Sequence, residues 1–195
     1  MKVKKYGGYD MSSRKTLVFQ GSPRKNGETA KLVFMLEKEL HTHVEIINAY
    51  DLGVSPCVDC RRCKTVGGCS IDDGMTEIYR KIEQADNIVI ASPIYFTEIT
   101  APLLSLFSRL QTYYCAKVMR NEQTLSAKKG GIILVGGGSG KPDKALDTSK
   151  IILRAMNVCG EIPSAVFFGT DYSEATANDE LINELEKIAA YLDSD

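Results

Sequence analysis

The chain has no surplus of either charge sign: 24 Lys and Arg stand against 25 Asp and Glu in 195 residues. A general nucleic-acid binder carries a basic excess, so that class is excluded. No apolar run approaches the roughly 20 residues that cross a bilayer. The polar opening MKVKKYGGYDMSSRK holds no apolar stretch of the signal-peptide kind. These absences lead to the expectation of a cytoplasmic protein with no membrane and no nucleic-acid partner. Histidine is scarce: His41 and His43 are the only two, and they read as exposed loop residues at the start of a strand. No Ser-His-Asp set, carboxylate pair, internal repeat or low-complexity tract stands out. What is present, 44% hydrophobic and 25% charged residues, is the balance of one domain with its own core. Residues 1–15 read as an N-terminal arm that need not be ordered, and residues 16–195 as the domain.

Short apolar runs alternate with amphipathic ones. The pattern predicts strands over 16–21, 44–49, 87–92, 130–138 and 165–169. It predicts helices over 29–40, 75–84, 101–116, 143–158 and 178–192. NIVIAS at 87–92 is continuously apolar, as a strand covered on both faces should be. Such alternation implies an α/β fold with a parallel sheet between helices. Five strands fit a flavodoxin-like three-layer sandwich of strand order 2-1-3-4-5, in which ligands lie beyond the C-terminal strand ends.

Three loops occupy those ends. GSPRKNGET, after the first strand, offers Ser22, Arg24, Lys25, Asn26, Gly27 and Thr29 just where a helix begins. Free backbone N–H groups and the positive end of the helix dipole suit a phosphate monoester there, although a plain helix cap would look similar. The loop is neither a Walker A sequence nor a G-x-G-x-x-G fingerprint. SPIYF, after the third strand, sets Pro93, Ile94, Tyr95 and Phe96 at a strand end, where aromatics flank a planar ring or pack on the next helix. GGGSGK supplies Gly136, Gly137 and Gly138, which permit close backbone approach to a ligand or make a flexible turn. A phosphate site and a planar-ring site meeting at one sheet edge describe a mononucleotide, and FMN is the candidate for this fold.

With GSPRKNGETAKL, CVDCRRCKTVGGCSIDDGM, NIVIASPIYF and the Gly136–Gly138 run in this order, the chain resembles the NAD(P)H-dependent FMN reductase group of flavodoxin-like proteins, particularly its iron-sulfur flavoprotein branch. The resemblance implies that Ser22, Arg24, Asn26, Gly27 and Thr29 hold the FMN phosphate. It implies that Pro93, Ile94, Tyr95 and Phe96 lie along the isoalloxazine and that Gly136, Gly137 and Gly138 border its other edge. It also implies an oxidoreductase whose chemistry the flavin carries, a small redox carrier or NAD(P)H as partner, and a homodimer or homotetramer. The apolar PLLSLF (102–107) would suit a subunit contact or plain core. Two departures stand out. Glu28 places a negative charge beside the expected phosphate, and Thr97 and Glu98 replace the small residues that commonly follow YF.

Cys57, Cys60, Cys63 and Cys69 form C-x2-C-x2-C-x5-C. The first three match the start of a ferredoxin cluster run, and the fourth is near enough for one loop to wrap a [4Fe–4S] cluster. Arg61, Arg62 and Lys64 would offset the thiolate charge, and Gly67 and Gly68 would let the loop turn. Four-thiolate zinc, disulfides, and free thiols left from a lost cluster remain alternatives. So do two functions beside the FMN- and cluster-bearing oxidoreductase: a cluster-free NAD(P)H-dependent FMN or quinone reductase, and a zinc-binding or redox-sensing module. Cys115 and Cys159 share no spacing with the motif and read as buried helix residues outside it.

Overall fold

A computed structural model of the chain describes residues 13–123 and 125–195. The expected arm lies outside them as far as residue 12. Lys15 already opens the first strand, and Arg14 Nη1 donates to the Ser194 carbonyl at 2.7 Å. The elements run β1 (Lys15–Gln20), α1 (Glu28–Glu39), β2 (His43–Asn48), α2 (Met75–Gln84), β3 (Asn87–Pro93), α3 (Ala101–Ser108), α4 (Gln111–Met119), β4 (Lys129–Gly136), α5 (Asp143–Ala155), β5 (Ser164–Phe168) and α6 (Asp179–Asp193). Single 3-10 turns cover Arg62–Lys64 and Ala175–Ala177.

The five strands form one parallel sheet in the order β2-β1-β3-β4-β5, as expected. Neighbouring strand residues point to opposite faces, and each face has its own core. Leu17, Phe19, Ile88, Ile90, Ile132 and Leu134 meet α2 through α5 on one side. Val18, Val89, Ala91, Ile133 and Val135 meet α1 and α6 on the other. All of β3 but Pro93 is buried, which is why its sequence is apolar without alternation. Asn178 caps α6 by accepting from the Leu181 N–H at 2.8 Å.

One expected element divides. The helix over 101–116 is two helices, α3 and α4, separated at Arg109 and Leu110. No proline or glycine marks the break. The N–H groups of Arg109 and Leu110 bond three residues back, to Leu106 and Phe107, tightening the chain into a 3-10 turn. The turn accommodates Arg109, whose side chain is fully buried and reaches under the cysteine loop. PLLSLF resolves mainly as core: Leu103, Leu106 and Phe107 are buried and Leu104 is its partly open apolar residue. Among the described residues no helix is long and apolar enough to cross a membrane.

Candidate functional site

β1 and β3 lie side by side, but their following helices α1 and α3 cover opposite faces of the sheet. The loops after them therefore part and leave a crevice at the strand ends. A cavity of about 620 Å³ occupies it, within the usual range for a small-molecule site. Ser22, Arg24, Asn26, Gly27, Glu28 and Thr29 line it from the β1 loop; Pro93, Ile94 and Tyr95 from the end of β3; Val135 and Gly137 from β4; Thr170 and Asp171 from the loop after β5.

At the α1 end, Gly27 is the cap residue, and no side chain caps the helix. The first-turn N–H groups thus lack the side-chain acceptor that usually satisfies one of them. Ser22 and Thr29 are buried beside them, and the Ser22 hydroxyl accepts from the Arg24 N–H at 3.2 Å. These donors and the Arg24 cation fit a phosphate dianion. Glu28 does not spoil the fit. Its carboxylate accepts from Lys31 Nζ at 2.7 Å and from the Ala175 N–H at 2.6 Å. Burial acts to raise its pKa, but Lys31 and the N–H groups of Ala175 and Thr176 outweigh that and hold it below the usual carboxylate range. The charge is spent on tethering the segment ahead of α6.

The other wall is built from backbone. Gly169, Thr170 and Asp171 donate N–H bonds to Gly136 and Gly137, stitching the β5 loop onto the β4 loop. A Cβ at Gly137 would lie 2.6 Å from Asp171 Oδ1, so a larger residue there would displace the Asp171 side chain from this wall. Nine of the twelve residues expected from the sequence to bind the cofactor line the cavity. The other three, Phe96, Gly136 and Gly138, do not. Gly136 ends β4 against the Phe168 ring, and Gly138 has open space around it. Val135, Thr170 and Asp171 were not legible as site residues.

Phe96 is fully exposed at the tip of a tight turn. Tyr95 and Glu98 exchange N–H bonds at 2.9 and 3.0 Å, while Phe96 and Thr97 both have positive φ, 51° and 66°. Paired positive φ is the type I′ hairpin turn, which favours Asn-Gly. A β-branched residue there is strained by about 1–2 kcal/mol. Thr97→Gly is therefore expected to raise stability by about 1 kcal/mol after the entropy cost of glycine, and the thermal midpoint by about 2–4 °C. A lower midpoint in calorimetry would contradict the strain.

A second site lies beyond β2. Cys57, Cys60, Cys63 and Cys69 line one small cavity of about 40 Å³ with Arg61, Lys64, Arg109 and Cys115. Asp59, Arg61 and Gly68 take positive φ (47°, 64° and 83°), so the loop folds tightly on itself. Arg109 anchors it from beneath, donating Nη1 to the Ser55 carbonyl at 2.9 Å and to Asp73 Oδ2 at 2.8 Å, and Nη2 to the Ile71 carbonyl at 3.1 Å. Asp73 also accepts from the N–H groups of Ser55 and Met75, both at 3.0 Å. Burial acts to raise its pKa, and Arg109 with the two N–H groups brings it below the ordinary value. Arg109 Nε is buried and has no hydrogen-bond partner among the described residues.

The thiols are not equivalent. Cys60 is exposed, and the nearby Ser70 hydroxyl, Sγ–Oγ 3.0 Å, lowers its pKa. Burial and the neighbouring Cys115 push Cys63 up to about 11. Cys115 is buried in helix α4 as expected, but it is not apart from the motif: its sulfur lies 3.6 Å from that of Cys63. The helix break at Arg109 sets α4 against the Arg62–Lys64 turn. Cys159 is exposed after α5, not buried in a helix. Among the described residues no three His, Cys, Asp or Glu side chains gather closely enough to hold a single metal ion.

Known proteins resemble this chain in sequence or in fold. An iron-sulfur flavoprotein of Archaeoglobus fulgidus is 32% identical over 152 residues, 76% of this chain and 66% of that one. The chain thus spans just under two thirds of that relative's length. An iron-sulfur flavoprotein of Methanocaldococcus jannaschii is 31% identical over 170 residues, covering 83% and 84%. Among solved structures, the NAD(P)H:quinone oxidoreductase of Methanothermobacter marburgensis superposes with TM-score 0.71 over 94% of this chain and 98% of that one, at 13% identity. An FMN-dependent NADH-azoreductase of Bacillus anthracis, in complex with FMN, gives TM-score 0.62 over 93% and 100%, at 18% identity. These two likenesses speak to the fold, which is flavodoxin-like. The model of the NADPH-dependent FMN reductase family matches residues 14–173, and the chain belongs to that family.

Proposed function

We propose that this protein is an FMN-dependent oxidoreductase that holds FMN in the crevice beyond β1 and β3 and a [4Fe–4S] cluster on Cys57, Cys60, Cys63 and Cys69. The observation that carries the reading is the meeting of an uncapped helix N-terminus, the end of β3 and the β4 loop around one cavity of about 620 Å³. FMN supplies one- and two-electron chemistry when bound, and the cluster handles single electrons. The chain's own residues bind and orient. Ser22, Thr29 and the first-turn N–H groups of α1 take the phosphate, and Arg24 balances its charge. Pro93, Ile94 and Tyr95 give the ring an edge held rigid by β3. Gly137 admits the ring close to the backbone, with Thr170 and Asp171 at the same wall.

Four thiols on one cavity with Arg61, Lys64 and Arg109 beside them support the cluster. A cube spreads its ligands more widely than a lone tetrahedral ion does, so thiols that share a wall without converging suit it better than zinc. The names of the sequence relatives agree with this. A small redox carrier or NAD(P)H as partner, a cytoplasmic location and a homodimer or homotetramer complete the proposal.

Anaerobic purification followed by iron, sulfide and FMN analysis tests it. The expected result is FMN together with iron and sulfide, and loss of iron with retained FMN when any one of the four motif cysteines becomes Ser. Full flavin with no iron or sulfide returns the chain to a cluster-free reductase; protein with neither overturns the flavin reading as well. A monomer mass by light scattering at micromolar concentration counts against the oligomer.

A further inference from the structure

The Cys63–Cys115 contact joins segments 52 residues apart and is the one sulfur–sulfur hydrogen bond among the described residues. A second tie holds the same two segments together, since the Arg120 guanidinium just past α4 donates to the Cys63 carbonyl. Cys115 sits at the buried side of the cavity, and Cys63 is half-buried on its rim. Two thiols held in contact by packed backbone are positioned for a bond to each other.

We propose that Cys63 and Cys115 form a reversible disulfide when the loop carries no cluster, and that this bond withdraws Cys63 from the ligand set. The pairing stands on geometry alone, and its consequence rests on the cluster reading above. The sulfurs close from 3.6 Å to about 2.05 Å, a shift of the size that small χ1 rotations produce. The oxidant is a low-molecular-weight disulfide. One S–S bond forms between Cys63 and Cys115, one breaks in the oxidant, and the two thiol protons and two electrons leave with its two released thiols. With Cys63 engaged, three motif thiols remain for a group that takes four. A dithiol reductant reverses the exchange and returns the fourth.

The test uses full-length protein stripped of iron, with FMN left in place. The sample is treated with oxidised glutathione, its free thiols are alkylated, and disulfide-linked peptides are mapped by mass spectrometry. The Cys63–Cys115 link is expected as the main crosslink, absent in Cys115→Ser. Iron uptake from ferrous iron and sulfide should then fall several-fold in the oxidised wild type, recover with dithiothreitol, and stay high in oxidised Cys115→Ser. A dominant link within the motif, such as Cys57–Cys60, or glutathione adducts without a Cys63–Cys115 link, overturns the pairing. If the link forms but reduced protein never takes up iron, the pairing stands and the cluster reading falls. If iron binds equally to oxidised and reduced protein, the withdrawal of Cys63 is wrong.

Discussion

Arg109→Ala is expected to lower stability by about 3–5 kcal/mol, the usual cost of removing one partner from a buried ion pair, and the thermal midpoint by roughly 6–20 °C. Arg109 is 1% exposed and makes three bonds to the 55–73 loop, one of them to Asp73. Alanine leaves the Asp73 carboxylate mostly buried beside two peptide N–H groups and frees two carbonyls with no donor. Arg109→Lys should recover only part of the loss, because an ammonium cannot span Ser55, Ile71 and Asp73 in one plane. The pH dependence follows from the lowered pKa of Asp73. Its contribution is fully present above the unfolded value of about 3.9 and is lost as pH falls through the still lower folded value. The gap between wild type and Arg109→Ala should thus stay constant from neutral pH down to about pH 5 and shrink in stronger acid. Denaturant unfolding measures both, and a loss below about 1 kcal/mol at pH 7 would show that the pair does not anchor the loop.

Thr29→Glu should abolish FMN retention. Thr29 is buried in the first turn of α1 at the cavity wall. A carboxylate there faces a phosphate of charge near −2. Two unit charges about 4 Å apart repel by about 4 kcal/mol at an effective dielectric of 20, a factor of about 1,000 in affinity. Riboflavin, which lacks the phosphate, separates this from simple misfolding: its affinity should change far less than that of FMN. Equal flavin content in wild type and variant after purification would remove the phosphate from this loop.

The strands were legible because each is an apolar run ended by a polar or glycine-rich turn, and β3, covered on both faces, was the plainest. The β1 loop proposed to take the phosphate could be singled out for a local reason: its hydroxyls and glycine stand directly before a helix. What escaped depends on contacts distant in sequence. An arginine within SRLQTYY looks like any solvated helix residue, so neither the break between α3 and α4 nor the burial of Arg109 could be read there. Cys115 shares no spacing with the motif and is brought to Cys63 by the packing of α4. Thr170 and Asp171 look like an ordinary polar turn, and only strand order carries them to the cavity. Glu28 was legible as a charge in an awkward place, but the Lys31 and Ala175 contacts that satisfy it were not.

The Arg109 anchor also sets an order in time. Ser55 and Arg109 are 54 positions apart, and at about 5–20 residues per second a ribosome needs roughly 3–10 s to make that interval. Over the last 40 residues of that interval, from Cys69 to Arg109, all four motif cysteines are already synthesised while the residue that fixes their loop is not, and Cys115 follows later still. The nascent loop therefore meets the cell as loose thiols. On the proposed reading, a cluster bound by this loop would find its site formed only after α3 and α4 have docked, so its insertion would be an event of the folded chain and not of translation.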